Sequence, residues 1–222
     1  MIKQISLDHL GGLYYYKVHN KKVDSLCKDF PQLKTFLYDM FENCPNSYFE
    51  SGPRSSSLKF NLKNLNTVKT KGHEVSTLSY YGLLENGDRY NSNHLKVQMF
   101  MLESDNKTIA MEIPIWLHPN EIDRYYEIFG SNEPLTGHID ILRVEDGKIW
   151  VWDYKPNAIK EKYATTQVSF YALMLSKRTN IPLEQFRCGY FDKDYAFMFK
   201  PNPEVIPENQ LKSLFDFFRK PL

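Results

Sequence analysis

The sequence predicts an α/β fold in which a central mixed β-sheet is flanked by helices. Two strand-like runs flank Asp146-Gly147, further strand-like runs occupy 108–117 and 186–199, and apolar residues recur at helical spacing in the segments around them. An Asp-Gly pair between two strand-like runs is typical of a two-residue hairpin turn. Strands interspersed with helices are expected to form one sheet that the helices cover.

Length and composition indicate one soluble globular domain over 1–222, because 222 residues are enough for a sizeable core and 42% of them are hydrophobic. No apolar run approaches the roughly 18 residues needed to span a bilayer, so no membrane association is expected. The net charge of +1 neither requires nor excludes a nucleic-acid partner. Three cysteines without a CxxC pair argue against a disulfide scaffold and a self-contained zinc or iron–sulfur site. The expected location is therefore the reducing cytoplasm, with an organelle or a virus-infected host cell left open.

The first part of the chain, residues 1–107, is expected to be helical. Residues 22–44 predict helix interrupted at Pro31, and 73–85 and 93–103 predict two short helices. Residues 51–72 contain basic but no acidic side chains. Two interpretations of that segment stay open: a solvated loop or edge strand, or a surface that contacts phosphate. The lysines concerned are Lys59, Lys63, Lys69 and Lys71.

Residues 108–199 are expected to form the core of the domain. The predicted elements are a strand over 108–117, a short helix over 120–130, the Asp146-Gly147 hairpin, a helix over 160–177 and a strand pair over 186–199. Residues 200–222 predict an amphipathic C-terminal helix.

The hairpin brings three charged side chains together. If Asp146-Gly147 forms the turn, Glu145 pairs with Lys148, and counting along both strands places Asp140 opposite Asp153. Lys155 lies on the same face as Asp153 because side chains alternate along a strand. Directly opposed carboxylates repel each other unless a cation lies between them. A solvated charged face is the alternative, but the apolar neighbours indicate a hairpin buried on both sides, where like charges are costly. A divalent cation such as Mg²⁺, which prefers carboxylate oxygens, is favoured.

These residues also form a recognisable pattern. Gly137-x-x-Asp140 followed by Asp153-x-Lys155 resembles the signature of the PD-(D/E)xK nuclease superfamily. Gln167-x-x-x-Tyr171 resembles the extra motif of its RecB-like exonuclease branch, which includes CRISPR-associated RecB-like nucleases. The resemblance covers about residues 108–199. It implies a restriction-endonuclease-like core in which two aspartates bind Mg²⁺ or Mn²⁺ and the lysine positions or activates the attacking water.

The same resemblance implies roles for residues outside the hairpin. Gln167 and Tyr171 share one helix face because they are four positions apart, and that face is expected to look into the site. Glu112 lies in an otherwise apolar strand and is either a supporting metal ligand or a strand-edge carboxylate facing water. A further ligand of the family is a histidine in a preceding helix, for which Gly72-His73-Glu74 is the first candidate and His94 the second.

Two more features bear on the nucleic acid and on cofactors. His138 is expected to face the same side as Asp140 and to pair across from Lys155, where it would contact phosphate. Cys44-Pro45 resembles a box that helps to bind an iron–sulfur cluster in some relatives. Only Cys188 lies in the C-terminal half, so no such cluster is expected and Cys44 is interpreted as a small buried residue.

The sequence therefore predicts a metal-dependent nuclease that hydrolyses phosphodiester bonds in DNA. The resemblance favours a RecB-like exonuclease of DNA repair, recombination or processing, acting on single-stranded or frayed ends, with a helicase or another repair protein as candidate partner. A structure-specific or restriction-type endonuclease is the first alternative. A module that binds nucleic acid without cleaving it is the second.

Overall fold

A computed structural model describes residues 1–62 and 65–202. Its centre is one eight-stranded sheet with the strand order β1-β2-β4-β5-β6-β7-β8-β3. The strands are β1 (Ile2–His9), β2 (Gly12–His19), β3 (Val68–Lys71), β4 (Thr108–Leu117), β5 (Leu135–Glu145), β6 (Lys148–Tyr154), β7 (Phe186–Phe191) and β8 (Tyr195–Phe199). Strands β6 and β7 are parallel, and the other neighbouring pairs are antiparallel. The sheet is therefore mixed, as predicted.

Helices cover both faces of this sheet. They are α1 (Asn20–Leu26), α2 (Pro31–Asp39), α3 (Glu74–Glu85), α4 (Asn93–Ser104), α5 (Tyr125–Phe129) and α6 (Ala164–Thr179). Helix α6 shares one core with Val151 of β6, whereas α3 and α4 share another with Trp152 and Tyr154. Because successive side chains of a strand point to opposite faces, α6 and the α3–α4 pair lie on opposite sides of β6. This layered arrangement confirms the predicted α/β, restriction-endonuclease-like fold.

The core elements follow the predicted order closely. The strand over 108–117, the hairpin around Asp146-Gly147 and the strand pair within 186–199 all form. The helix predicted over 120–130 is shorter, since a 3₁₀ turn at Pro119–Glu121 precedes α5. The predicted C-terminal helix falls largely on residues 203–222, which lie outside the described residues.

The N-terminal part differs from the helical expectation, because residues 1–107 also contribute β1, β2 and β3. Strands β1 and β2 form a hairpin that turns at Leu10 and Gly11, where Gly11 has a φ of +101° that favours glycine. Tyr16 and Val18 of β2 are buried, and β2 extends the sheet by pairing with β4. Strand β3 pairs with β8 at the opposite edge, which fits the edge-strand interpretation of residues 51–72.

The central hairpin has the predicted register. Glu145 pairs with Lys148, and the ladder continues to Ile141 opposite Trp152. Leu142 and Ile141 are both fully buried although they face opposite sides. The hairpin is thus buried on both faces, and its open end carries the acidic residues. Within residues 1–62 and 65–202, no helix is long and apolar enough to cross a membrane.

Candidate active site

The aspartate of the Gly137-x-x-Asp140 motif lies where the β5–β6 ladder ends. The last pair of this ladder is Ile141 with Trp152, one step before the Asp140–Asp153 pair that counting from the turn predicts. The Asp140 Oδ2 atom instead accepts a hydrogen bond of 2.9 Å from the backbone N–H of Tyr154. The side chain of Asp140 therefore spans the gap between the two strands at the position where backbone pairing stops.

Asp153 and Lys155 meet at the same place. The Lys155 Nζ atom lies 2.7 Å from Asp153 Oδ2, and Asp153 is only 1% exposed. The backbone N–H of Lys155 donates to the carbonyl of Phe191 at 2.8 Å, which continues the pairing of β6 with β7 past the end of the strand. This bond fixes the lysine beside the two aspartates.

Helix α6 contributes two side chains to the site, Gln167 and Tyr171. The Gln167 Oε1 atom accepts a hydrogen bond of 2.9 Å from Lys155 Nζ. The Gln167 Nε2 atom donates to the Tyr171 hydroxyl at 2.8 Å and to Asp153 Oδ1 at 3.4 Å. The two motifs are therefore joined by direct contacts between Gln167, Lys155 and Asp153.

Glu112 is the third acid of the site and has an unusual backbone. Its φ is +52°, in the left-handed region that costs a residue with a side chain about 1–2 kcal/mol. Its neighbours Met111 and Ile113 pair normally with Ile141 and Ile139 of β5. The Glu112 Oε1 atom accepts a hydrogen bond of 2.6 Å from Gln98 Nε2 on α4. Tertiary contacts thus hold a locally unfavourable conformation next to Asp140.

The three carboxyl groups are protonated more readily than ordinary ones. Burial, and the charge of Asp140, raise the pKa of Glu112 to about 8 and that of Asp153 to about 7. Burial also raises the pKa of Asp140 to about 6, although Lys155 and the Tyr154 N–H favour its ionised form. Burial lowers the pKa of Lys155, but the charges of Asp153 and Asp140 outweigh that effect and raise it. The lysine is therefore an ammonium group that offsets only part of the negative charge.

This donor set fits a hard divalent cation. Mg²⁺ takes oxygen ligands, commonly one or two carboxylates with several waters, and Asp140 and Asp153 supply such a pair. In residues 1–62 and 65–202, no three His, Cys, Asp or Glu side chains form a ready-made cage. The Asp153 carboxylate instead forms an ion pair with Lys155, and the Glu112 carboxylate accepts a hydrogen bond from Gln98. A cation would hence be held by the two aspartates after Asp153 turns from the lysine, with Glu112 nearby as a further acid.

The two candidate histidines occupy different environments. His94 on α4 lies with its Nε2 atom 3.8 Å from Asp140 Oδ2, and its ring packs edge-on against Tyr154. His73 caps α3 by accepting a hydrogen bond of 3.3 Å from the Val75 N–H, and its ring lies 5.8 Å from that of Trp152. Of the two candidates, His94 is therefore the one whose imidazole lies close to Asp140.

His138 does not lie where strand counting places it. The β5–β6 ladder ends before His138 could pair with Lys155, and on the other edge of β5 His138 pairs with Pro114 of β4. Its ring is buried, stacks on Tyr14 at 3.7 Å, and shares a hydrogen bond of 2.9 Å with the His9 ring. These contacts enclose the imidazole in the core, so the ring is not exposed for the contact with phosphate that the sequence predicts.

The candidate phosphate-binding lysines that the structure describes, Lys59, Lys69 and Lys71, are exposed at the surface. Lys69 and Lys71 are exposed on the edge strand β3, and the Nζ atom of Lys69 lies 4.3 Å from the centre of the Tyr195 ring. Lys59 is exposed in a loop, and Lys63 lies outside the described residues. Cys44 is a free thiol packed against the core, and burial raises its pKa to about 12.

One residue of the site belongs to none of the sequence motifs. It is Gln98, which is buried on α4 and donates a hydrogen bond to Glu112. The signal available in the sequence was its position four residues after His94, which places both side chains on one helix face.

The assembled geometry can support hydrolysis of a charged ester. The carboxylates of the buried Asp153 and the partly buried Asp140 are suited to bind a cation, an ammonium group lies beside them, and an amide from α6 holds that ammonium group in place. A family model described as the PD-(D/E)XK nuclease superfamily matches residues 73–217, which is nearly two thirds of the chain and includes every acid of the site. Neither a curated protein nor a solved structure matches the chain.

Proposed function

Because the chain belongs to the PD-(D/E)XK nuclease superfamily, which implies a metal-dependent nuclease, we propose that it hydrolyses phosphodiester bonds of DNA with Mg²⁺ or Mn²⁺. The observation that carries the proposal is the contact of Lys155 with both Asp153 and Gln167 beside Asp140. A structural charge pair in the core would need only one acid and one base. Here one lysine lies beside two acids, the buried Asp153 and the partly buried Asp140, and their remaining charge calls for another cation.

In this mechanism Asp140 and Asp153 are the residues that would hold the divalent ion. Such an ion, when bound, lowers the pKa of a water ligand and neutralises charge on the phosphoryl oxygens. Lys155 donates hydrogen bonds from its ammonium group to orient the attacking water and to stabilise the growing charge on the phosphate. Gln167 fixes the lysine through its Oε1 atom and Tyr171 through its Nε2 atom. The water oxygen bonds to phosphorus and releases a proton to solvent, while the bond to the leaving sugar oxygen breaks and that oxygen takes a proton from solvent.

We further propose exonuclease action on single-stranded or frayed ends, of the RecB-like kind. The support is the motif Gln167-x-x-x-Tyr171 and its direct contact with Lys155 and Asp153. Such an activity suits DNA repair, recombination or processing inside the cell, where a helicase would supply unpaired ends. Faster degradation of frayed than of fully paired duplex, stimulated by an added helicase, would support this setting; equal rates on both would count against it.

The decisive experiment compares linear DNA, labelled at either end, with circular single-stranded DNA in EDTA, Mg²⁺ or Mn²⁺. The proposal predicts metal-dependent shortening from an end and intact circles. Asp153→Asn and Lys155→Met should each lower the rate by at least about 100-fold, in the range of lost acid–base or charge stabilisation. Asp146→Asn is the matched control, since it makes the same chemical change at the other end of the hairpin.

Two other outcomes would support the alternative functions. Cleavage of circles and internal fragments would replace the exonuclease proposal with an endonuclease. DNA binding without cleavage in both Mg²⁺ and Mn²⁺ would overturn the enzymatic proposal in favour of a binding module.

A further inference from the structure

Gln98 connects helix α4 to both acid-bearing strands β4 and β5. It is 1% exposed, and a buried amide must find partners for its hydrogens or pay a desolvation cost. Its Nε2 atom donates to Glu112 Oε1 at 2.6 Å and to the backbone carbonyl of Asp140 at 3.3 Å. One amide group therefore contacts the side chain of one acid and the backbone of another.

These contacts fall where the β4–β5 ladder is disturbed. Pairing is regular at Met111 with Ile141 and at Ile113 with Ile139, while Glu112 between them has the left-handed φ of +52°. The normal alternation of side chains breaks at such a residue. The carboxylate of Glu112 needs a fixed donor to hold its direction there, and Gln98 is that donor.

Contacts on either side of Gln98 along α4 involve the strand that carries Asp140. His94, one turn earlier, lies 3.8 Å from Asp140 Oδ2. At the C-terminal end, Asp105 caps the helix and accepts a hydrogen bond of 2.9 Å from the buried guanidinium of Arg143 on β5. The buried ion pair at the C-terminal end and the bond from Gln98 to the Asp140 carbonyl therefore join α4 to β5 and limit the freedom of the amide to move.

We propose that Gln98 is a positioning residue that aims the Glu112 carboxylate at the cation held by Asp140 and Asp153. This inference rests on the proposed metal-dependent activity. The amide nitrogen of Gln98 donates to Glu112 and to the Asp140 carbonyl, so Gln98 acts through Glu112. One oxygen of Glu112 accepts from this amide, which leaves the second oxygen as the ligand for the cation. Partners that orient a metal ligand in this way commonly change metal affinity by about 10- to 100-fold when lost.

The test is Gln98→Met, which keeps the length of the side chain and removes both donors. The midpoint of Mn²⁺ binding, followed by thermal stabilisation of the protein without DNA, should rise by about tenfold. The Mn²⁺ midpoint for cleavage should rise in parallel, while the rate at saturating Mn²⁺ changes by only a few-fold. A residue that merely fills the core would leave the metal midpoint unchanged.

Two variants make the result specific. Asn86, at the end of α3, has a buried amide that donates to the Lys96 carbonyl of α4 at 2.9 Å and is bonded to no acid of the site. Asn86→Leu removes this amide and should leave the Mn²⁺ midpoint unchanged. In a Glu112→Gln background, Gln98→Met should have little further effect, since both changes act through one carboxylate.

The outcomes separate this inference from the proposed function. A wild-type protein that cleaves with Mn²⁺ while Gln98→Met keeps the wild-type midpoint would overturn the positioning role alone. Full additivity of the two substitutions would also overturn it. A wild-type protein that neither binds Mn²⁺ nor cleaves DNA would overturn the proposed function.

Discussion

Gly137 and Tyr171 approach so closely that no side chain fits between them. A Cβ atom at Gly137 would lie 2.5 Å from Cε1 of Tyr171 and 2.6 Å from Oγ of Ser55. Packing therefore explains the glycine at position 137, because a side chain there would occupy the space of the Tyr171 ring. Because Tyr171 accepts a hydrogen bond from Gln167, the strand motif and the helix motif depend on each other.

Gly137→Ala is expected to displace Tyr171 and, through Gln167, loosen Lys155. Overpacking of a buried site typically costs about 1–3 kcal/mol, and we expect a loss of unfolding free energy in that range. Cleavage should fall as well, because the lysine loses its fixed position. Urea denaturation and single-turnover cleavage measure the two effects. Ser55→Ala, which removes the other contact atom but adds nothing, should leave cleavage nearly unchanged; unaltered stability and rate in Gly137→Ala would contradict the packing argument.

The stability of the metal-free protein should depend on the ionisation of Glu112. Its pKa is about 8 in the folded protein and about 4.3 in an unfolded chain, so between these values the folded state binds more protons. Stability from this group is therefore present at low pH and is lost as the pH rises through 8. Glu112→Gln should gain stability relative to the wild type between pH 5 and pH 9.

Chemical denaturation in EDTA at several pH values measures that difference. Taking the difference between the two proteins removes the opposite contribution of His9, whose pKa is lowered chiefly by burial. Addition of Mg²⁺ should shrink the gain, because a bound cation compensates the ionised carboxylate. A difference that does not change with pH would show that Glu112 is not held in the repulsive environment described above.

The sequence predicts most of the site, because local rules fix the parts that are close in the chain. The Asp146-Gly147 turn sets the β5–β6 register, and alternation then places Lys155 beside Asp153. The register is reliable near the turn and fails at its far end, where Asp140 bonds to the Tyr154 backbone instead of continuing the ladder. That departure depends on side-chain contacts that no periodicity records.

Features that depend on packing between distant segments were not predictable in the same way. Helices near His73 and His94 are both visible in the sequence, but how these helices pack on the sheet decides which imidazole comes close to Asp140. The left-handed φ of Glu112 is imposed by tertiary contacts against its local preference. The β1–β2 hairpin did carry a local signal, Gly11-Gly12 before an aromatic run, which the helical expectation for the N-terminal part passed over.

Replacing each histidine should distinguish their roles. His94→Ala removes the imidazole that lies 3.8 Å from Asp140 Oδ2, so the cation requirement should rise and cleavage at low Mn²⁺ should fall by about tenfold or more. His73→Ala removes a helix cap and should cost about 0.5–2 kcal/mol of stability with little effect on cleavage. Cleavage across a Mn²⁺ titration and urea denaturation give the two readouts. A loss of metal-dependent cleavage in His73→Ala alone would restore the order expected from the sequence.

Arg143 should be a major determinant of stability, since it joins β5 to the ends of both α3 and α4. Its buried guanidinium donates to Asp105 Oδ2 and to Glu74 Oε2, each at 2.9 Å. Arg143→Met leaves Asp105, which is 4% exposed, without its charged partner, and breaking a buried pair in this way costs about 3–5 kcal/mol. Urea denaturation should show that loss, and Asp105→Asn added to Arg143→Met should recover part of it by removing the unpaired charge.

Arg89→Met, which breaks the exposed pair with Glu103, is the matched control and should change stability little. Equal losses in the two methionine variants would mean that the buried network contributes no more than a surface ion pair.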